Sequence, residues 1–190
     1  NNSTANNSGA GIQTAALNIG GILGPTGLPN GKTEEYNGTA WTEVNSLTTA
    51  TYGSMGCGTQ TAALTASGQE PAPGDTSTYS ANTQLYDGTS WTETANLLVA
   101  KSDGSGCGIQ TAALSFGGTP PGRRRTNEEW NGTSWSETAD LIADVESTAA
   151  LGTTTAALAI GGGGSTGGSA RTESWNGTSW TEVNDLTTTR

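Results

Sequence analysis

Along residues 14–19, Ala15, Leu17 and Ile19 fall on one side of an extended chain, and Thr14, Ala16 and Asn18 fall on the other. That period of two predicts a β-strand with one face against a core. The phrase recurs. Gln13-Thr14-Ala15-Ala16-Leu17 returns as Gln60-Thr61-Ala62-Ala63-Leu64 and Gln110-Thr111-Ala112-Ala113-Leu114, and in altered form as Thr154-Thr155-Ala156-Ala157-Leu158. The leucines stand 47, 50 and 44 residues apart. A second phrase follows each one: an aromatic, Asn-Gly or Asp-Gly, two small residues and a Trp. Its aromatic pairs are Tyr36 and Trp41, Tyr86 and Trp91, Trp130 and Trp135, and Trp175 and Trp180. Two phrases in fixed order at a near-constant period mark a tandem repeat.

Each unit predicts four short strands. The first is built of tiny residues: Gly9-Ala10-Gly11, Gly56-Cys57-Gly58, Gly106-Cys107-Gly108 and Ala150-Leu151-Gly152. A two-residue turn, Ile12-Gln13 in the first unit, leads to the alternating second strand. The third strand ends at the first aromatic, and the Asn-Gly or Asp-Gly dipeptide supplies the positive φ angles of a tight hairpin. The fourth starts at the Trp and carries Glu43, Glu93, Glu137 or Glu182 on an exposed edge that resists stray pairing. Leu47, Leu97, Leu141 and Leu186 close the units. The expectation is an all-β propeller domain over 1–190, with four-stranded antiparallel blades at about 5–47, 52–97, 102–141 and 146–186. Small residues on the innermost strands suit a crowded axis and favour a closed four-bladed ring. A larger ring completed by more sequence or a second copy is the alternative.

Composition argues the other way. Only 24 of the 190 residues are Leu, Ile, Val or Phe, and the formal net charge is −10, a balance typical of disordered chains. Six tryptophans offset it, because each buries a large area once neighbouring sheets cover one another. Seven basic residues against seventeen acidic ones make nucleic acid an unsuitable partner. No apolar run reaches the ~20 residues of a bilayer span, so membrane insertion is not expected. The sequence has no histidine, which removes His-based triads and His-bearing zinc sites. The ends of the chain assign no compartment.

The Gly-Gly that ends a strand, the aromatic that closes the next and the Trp that follows resemble the kelch repeat over all four units. The chain departs from that pattern where Asn37-Gly38 and its equivalents stand in place of Asp-Pro. The basic residue that starts a kelch blade appears only as Lys101 and Arg190. The wording Asn-Gly-Thr-Ser-Trp-Thr-Glu is similar to kelch-like tandem repeats of bacteriophage virion and tail-fibre proteins. That resemblance implies a virion or extracellular setting.

Candidate chemistry is sparse. The connections between second and third strands, at 22–32, 69–81, 119–125 and 163–171, vary in length and content, and variable loops on a uniform scaffold are where binding residues gather. Arg123, Arg124 and Arg125 offer guanidinium forks to an acidic glycan or other anion, or simply a solvated basic loop. Tyr79 and Leu28 offer stacking or apolar contact to a sugar. Cys57 and Cys107 read as small buried residues rather than a bridge. The formal G-x-G-x-x-G within 161–168 lacks a following helix and does not read as a nucleotide site. Asn37, Asn131 and Asn176 head glycosylation sequons, but Asp87 in the second unit makes turn geometry the better account. The four edge glutamates are too dispersed to share a metal ion.

The expected function is therefore a non-catalytic binding or structural module, with no cofactor, no metal and no catalytic residue. It would serve adhesion, host-surface or glycan contact, or assembly with other virion proteins or further copies of itself. The alternative is a propeller-fold carbohydrate hydrolase or lyase using scattered loop acids, Glu70, Asp75, Asp103 and Asp144. An intracellular kelch adaptor is a third reading, and no adaptor domain accompanies the repeats.

Overall fold

Tiny residues, alternating residues and paired aromatics assemble in the computed structural model into four similar antiparallel sheets. The structure describes residues 4–24, 26–73, 76–119, 125–164 and 167–189. Sheet I comprises Ser8–Ile12, Ala15–Ile19, Thr33–Tyr36 and Trp41–Val44. Sheet II comprises Met55–Thr59, Ala62–Ala66, Thr83–Tyr86 and Trp91–Glu93. Sheet III comprises Ser105–Ile109, Ala112–Phe116, Asn127–Trp130 and Trp135–Glu137. Sheet IV comprises Ala149–Thr153, Ala156–Ile160, Thr172–Trp175 and Trp180–Glu182. Within each sheet the strands lie side by side in chain order. Every regular element among the described residues is a strand.

The register explains why the two sequence phrases travel together. In sheet I, Gly11 pairs with Ala16, Ala16 with Tyr36 and Tyr36 with Trp41, so all four share one transverse row. Gly58, Ala63, Tyr86 and Trp91 form the same row in sheet II. The small alanine leaves space beside the aromatic, and the two aromatics stack as a tilted cross-strand pair at 5.1 Å in sheet I and 5.0 Å in sheet II. Sheets III and IV repeat the pair with two tryptophans at 5.4 Å.

The first strand of each sheet lies against the first strand of the next, so the sheets succeed one another in the order I, II, III, IV. Close approach requires glycine there: a Cβ on Gly56 would come within 2.9 Å of the Gly9 carbonyl oxygen. Three cores fill the three boundaries. Leu17, Ile19 and Leu47 of sheet I pack on Ala63, Tyr86 and Trp91 of sheet II. Leu64, Ala66 and Leu97 pack likewise on Ala113, Trp130 and Trp135, and Leu114, Phe116 and Leu141 on Ala157, Trp175 and Trp180. Each sheet thus turns its paired aromatics toward the preceding sheet and its leucines toward the following one.

The closed four-sheet ring expected from the sequence is not detected among the described residues. The first strands of sheets I and IV are not neighbours, and the exceptions to burial sit at these two ends. Five tryptophans are buried, whereas Trp41 on the outer face of sheet I is 50% exposed. Leu47, Leu97 and Leu141 are buried, whereas Leu186 beside sheet IV is 36% exposed.

Two turn assignments need correction. Ile12 pairs with Ala15, so the two-residue turn is Gln13-Thr14, one position later than expected. The Asn-Gly connection closes a tight hairpin, with the Asn37 amide donating to the Ala40 carbonyl at 3.2 Å, but without the two positive φ angles expected. Only its glycine takes a positive φ, 90° at Gly38 and Gly88. The preceding side chain acts through its oxygen: Asn37 Oδ1 accepts the Thr39 and Ala40 amides, each at 3.0 Å. Asp87 does the same for Thr89 and Ser90 at 2.8 and 2.7 Å, which is why a carboxylate can replace the amide here. Those amides hold the Asp87 carboxyl below its ordinary pKa.

Candidate functional site

The variable connections all leave from the second-strand end of their sheets. A Gly-Gly or Ser-Gly pair turns the chain there, and its second amide is taken by the link between sheets: Gly21 donates to the Thr51 carbonyl at 2.9 Å, Gly68 to Lys101 at 2.7 Å and Gly118 to Val145 at 2.8 Å. Links and variable connections therefore share one end of the molecule, as the strand order demands.

Three of the connections carry short strand pairings. Gln69–Ala72 and Thr76–Tyr79 pair as a small hairpin beyond sheet II. Gly163–Gly164 and Gly167–Gly168 do so beyond sheet IV, and Ile22–Leu23 pairs with Thr4–Ala5 beyond sheet I. Gly163, Gly164, Gly167 and Gly168 of the formal glycine motif are thus paired as strands.

At the base of the second hairpin lies a polar network. Tyr52 Oη donates to Gln69 Oε1 at 2.7 Å and lies 3.0 Å from Ser77 Oγ, which itself donates to Gln69 Oε1 at 2.7 Å. Gln69 Nε2 continues to Ser102 Oγ at 3.2 Å, and Ser102 donates to Asp103 Oδ2 at 2.8 Å. Thr119 Oγ1 donates to the same carboxylate oxygen at 3.3 Å. Asp103 borders a depression of about 220 Å³ whose lining includes Asn6, Gly53, Ser105 and Ser147. Asn6, Gly53, Asp103 and Ser147 are equivalent residues of the four units, and all have φ between 52° and 64°. Their backbones form a series: Gly53 donates to the Asn6 carbonyl at 2.9 Å, Asp103 to Gly53 at 2.8 Å and Ser147 to Asp103 at 2.7 Å. This end of the molecule is therefore polar, concave and rigidly hydrogen-bonded.

The residues expected to bind ligand are distributed around it. Tyr79, at the base of the hairpin opposite Gln69, is exposed. Leu28 is half-buried, and its carbonyl accepts the Leu23 amide at 3.1 Å. Arg125 is exposed but engaged: its Nε lies 3.4 Å from Asp144 Oδ1, and Nη1 donates to the Ile142 carbonyl at 3.4 Å. Arg123 and Arg124 lie outside the described residues. Among the described residues, Leu28, Tyr79 and Arg125 share no hydrogen bond or ion pair. The Tyr52–Gln69–Asp103 network was not foreseen as a cluster. Only the variability of 69–81 hinted at it.

The loop acids have separate partners. Glu70 receives the Ser80 hydroxyl, Asp144 pairs with Arg125, and Asp103 accepts from Ser102 and Thr119. Asp75 lies outside the described residues. Among the described residues, no three His, Cys, Asp or Glu side chains are arranged to hold a metal ion. The four edge glutamates lie on the exposed fourth strands, where Glu43 pairs with Lys32 and Glu182 with Arg171. Both cysteines are free and buried. Burial pushes the Cys107 thiol up to about 11, and burial together with the nearby Cys107 pushes Cys57 up to about 12. Such thiols are poor nucleophiles.

No protein-family model matches the chain, and no curated protein is detectably similar to it.

Proposed function

We propose that the chain is a non-catalytic binding and structural module built of kelch-like propeller blades. In this reading it belongs to a phage virion or fibre, where it contacts a host-surface glycan or receptor protein. The carrying observation is the pairing of a uniform scaffold with dissimilar hairpins that emerge from one end. The four sheets repeat the same rows, while Gln69–Ala72 and Thr76–Tyr79 pair over four rungs, Gly163–Gly164 and Gly167–Gly168 over two, and Ile22–Leu23 joins the first described strand. Uniformity in the core preserves the fold, and variation at one end changes what it meets. Tyr79 beside the Tyr52–Gln69–Ser77 network supplies an aromatic face next to fixed hydrogen-bonding groups, a combination suited to a sugar.

The test is a glycan array combined with binding to intact bacterial cells. Specific binding that weakens by about tenfold on Tyr79→Ala, with the fold unchanged, supports the reading. A chain that binds no glycan and no cell surface overturns the adhesive role. The enzymatic alternative rests on Asp103, a loop acid that lines the concave end. Polysaccharide cleavage lost on Asp103→Asn would favour it.

A further inference from the structure

The I/II and II/III boundaries are made by the same set of groups, the III/IV boundary keeps the acceptor side chain of that set, and the two outer faces each carry one half of it. At the I/II boundary Trp91 Nε1 donates to Thr33 Oγ1 at 3.0 Å, Gln60 Nε2 to the Tyr36 carbonyl at 2.8 Å, and Gln84 Oε1 accepts the Thr48 amide at 2.8 Å. At II/III, Trp135 donates to Thr83 at 2.9 Å, Gln110 to the Tyr86 carbonyl at 2.6 Å, and Glu128 accepts the Leu98 amide at 2.6 Å. At III/IV, Glu173 accepts the Ile142 and Ala143 amides at 2.8 and 3.1 Å. A sheet holds its predecessor with an indole, a carboxamide and an acceptor side chain. It offers its successor a hydroxyl, a carbonyl and two amides.

Sheet I carries the holding groups, and among the described residues no preceding sheet covers them. Trp41, Gln13 and Glu34 occupy the positions of Trp91, Gln60 and Gln84. Trp41 and Gln13 are exposed, and Glu34 and Trp41 line a depression of about 490 Å³. Sheet IV carries the receiving groups, and among the described residues no following sheet covers them. Thr172 stands where Thr33 and Thr83 stand, the Trp175 carbonyl where those of Tyr36 and Tyr86 stand, and Thr187 and Thr188 where Thr48 and Thr49 stand. Leu158, Ile160 and Leu186 match Leu17, Ile19 and Leu47, and Ile160 and Leu186 line a depression of about 560 Å³. The backbone series is also open at both ends: among the described residues it starts at the Asn6 carbonyl and stops at the Ser147 amide.

We propose that the outer face of sheet IV docks the outer face of sheet I of a second copy of this chain, head to tail, as a fourth boundary of the same kind. Trp41 then donates to Thr172 of the other copy, Gln13 reaches the Trp175 carbonyl, Glu34 accepts the Thr187 and Thr188 amides, and the Asn6 amide meets the Ser147 carbonyl. The contact is heterologous, so it closes into a ring where the rotation per sheet permits and otherwise propagates. Each copy carries a net charge of −10, so added salt strengthens the association by screening repulsion. This inference is independent of the proposed ligand.

Sedimentation velocity of the full chain, from micromolar to sub-millimolar concentration, tests it. The expected result is a dimer or longer head-to-tail assembly. Trp41→Arg and Leu186→Asp, both at exposed side chains, each weaken self-association by about 30-fold or more. Mixed together, the two variants form a 1:1 complex through their intact faces. Gln13→Glu serves as a second sheet I variant, with near-ultraviolet circular dichroism reporting that each protein remains folded. A wild-type chain that stays monomeric throughout overturns the proposal. So does self-association that survives in either single variant, because that requires contact between like faces.

Discussion

Trp91 donates its buried indole N–H to the hydroxyl of Thr33 at 3.0 Å across the first sheet boundary, so the residue that anchors one repeat is satisfied by the repeat before it. Trp135 and Thr83 do the same at 2.9 Å. At the third boundary Asn127 replaces the threonine. Trp180 Nε1 and both polar atoms of the Asn127 side chain then lack a hydrogen-bond partner among the described residues. Trp180 packs edge-on against Phe116 at 5.0 Å.

Restoring the pattern is expected to help, and breaking it to hurt. Asn127→Thr provides the missing acceptor and removes two unsatisfied buried atoms, so it should stabilise the chain by about 1 kcal/mol. Thr33→Val leaves the Trp91 indole unpaired and should cost about 1–3 kcal/mol. Urea unfolding of the two variants beside the wild type measures both.

A buried ion pair departs from the repeat at the second sheet boundary. Lys101 and Glu128 are both fully buried, with Nζ 3.9 Å from Oε1 and donating to the Ser115 carbonyl at 3.1 Å. The I/II boundary has Thr51 and Gln84 at these positions. Lys101→Thr alone strands the carboxylate and should cost about 3 kcal/mol, whereas Lys101→Thr with Glu128→Gln should recover most of that loss. Denaturant midpoints of the single and double variants decide it.

The same pair sets a pH dependence. Burial pushes the Lys101 ammonium down to about 8 from an ordinary 10.5, against the opposing pull of Glu128. Keeping the cation buried therefore costs stability fully below about pH 8, and the cost is relieved as pH rises toward 10.5. The buried thiols act in the opposite direction above pH 9, since they ionise first in the unfolded chain. Both proteins share those thiols, so the difference isolates the lysine. The wild type should gain stability relative to the Lys101→Thr/Glu128→Gln variant between pH 8 and 10.

Gly56 tests the spacing of the inner strands. Its missing Cβ would meet backbone, the Gly9 oxygen at 2.9 Å, rather than a side chain that could move aside. Gly56→Ala is expected to destabilise by about 1–3 kcal/mol and to loosen sheet I from sheet II. Hydrogen exchange of the Gly53 amide, which donates across that boundary, should accelerate.

Loop carboxylates can be read in the same way. The amides of Thr89 and Ser90 hold Asp87 below its ordinary pKa, so its contribution is present above that ordinary value and is lost as pH falls through the lowered one. Asp87→Asn keeps the acceptor, as Asn37 shows, and should remove this part of the acid dependence together with the small stabilisation that the ionised carboxylate adds at neutral pH. Thermal unfolding across acidic pH measures it.

What could be read from residue order was whatever depends on local periodicity. Alternation in Ala15–Ile19 set the strand and its two faces, because side chains on an extended backbone must alternate. The recurrence of Ala16, Tyr36 and Trp41 identified the members of one row before any register was known. Turns were less legible. The Asn37 side chain and backbone compete for the same amides, and geometry alone decides which oxygen takes them. Tertiary structure decided the rest: which neighbour covers each tryptophan, that Lys101 is enclosed, that Tyr52, Gln69 and Asp103 meet, and that Trp41 and Leu186 are left at the ends. Those outcomes depend on the angle and distance between sheets, which are summed over many weak contacts. A repeat encodes its own hydrogen-bonded rows, but how many sheets a closed ring would need is a property of the stack.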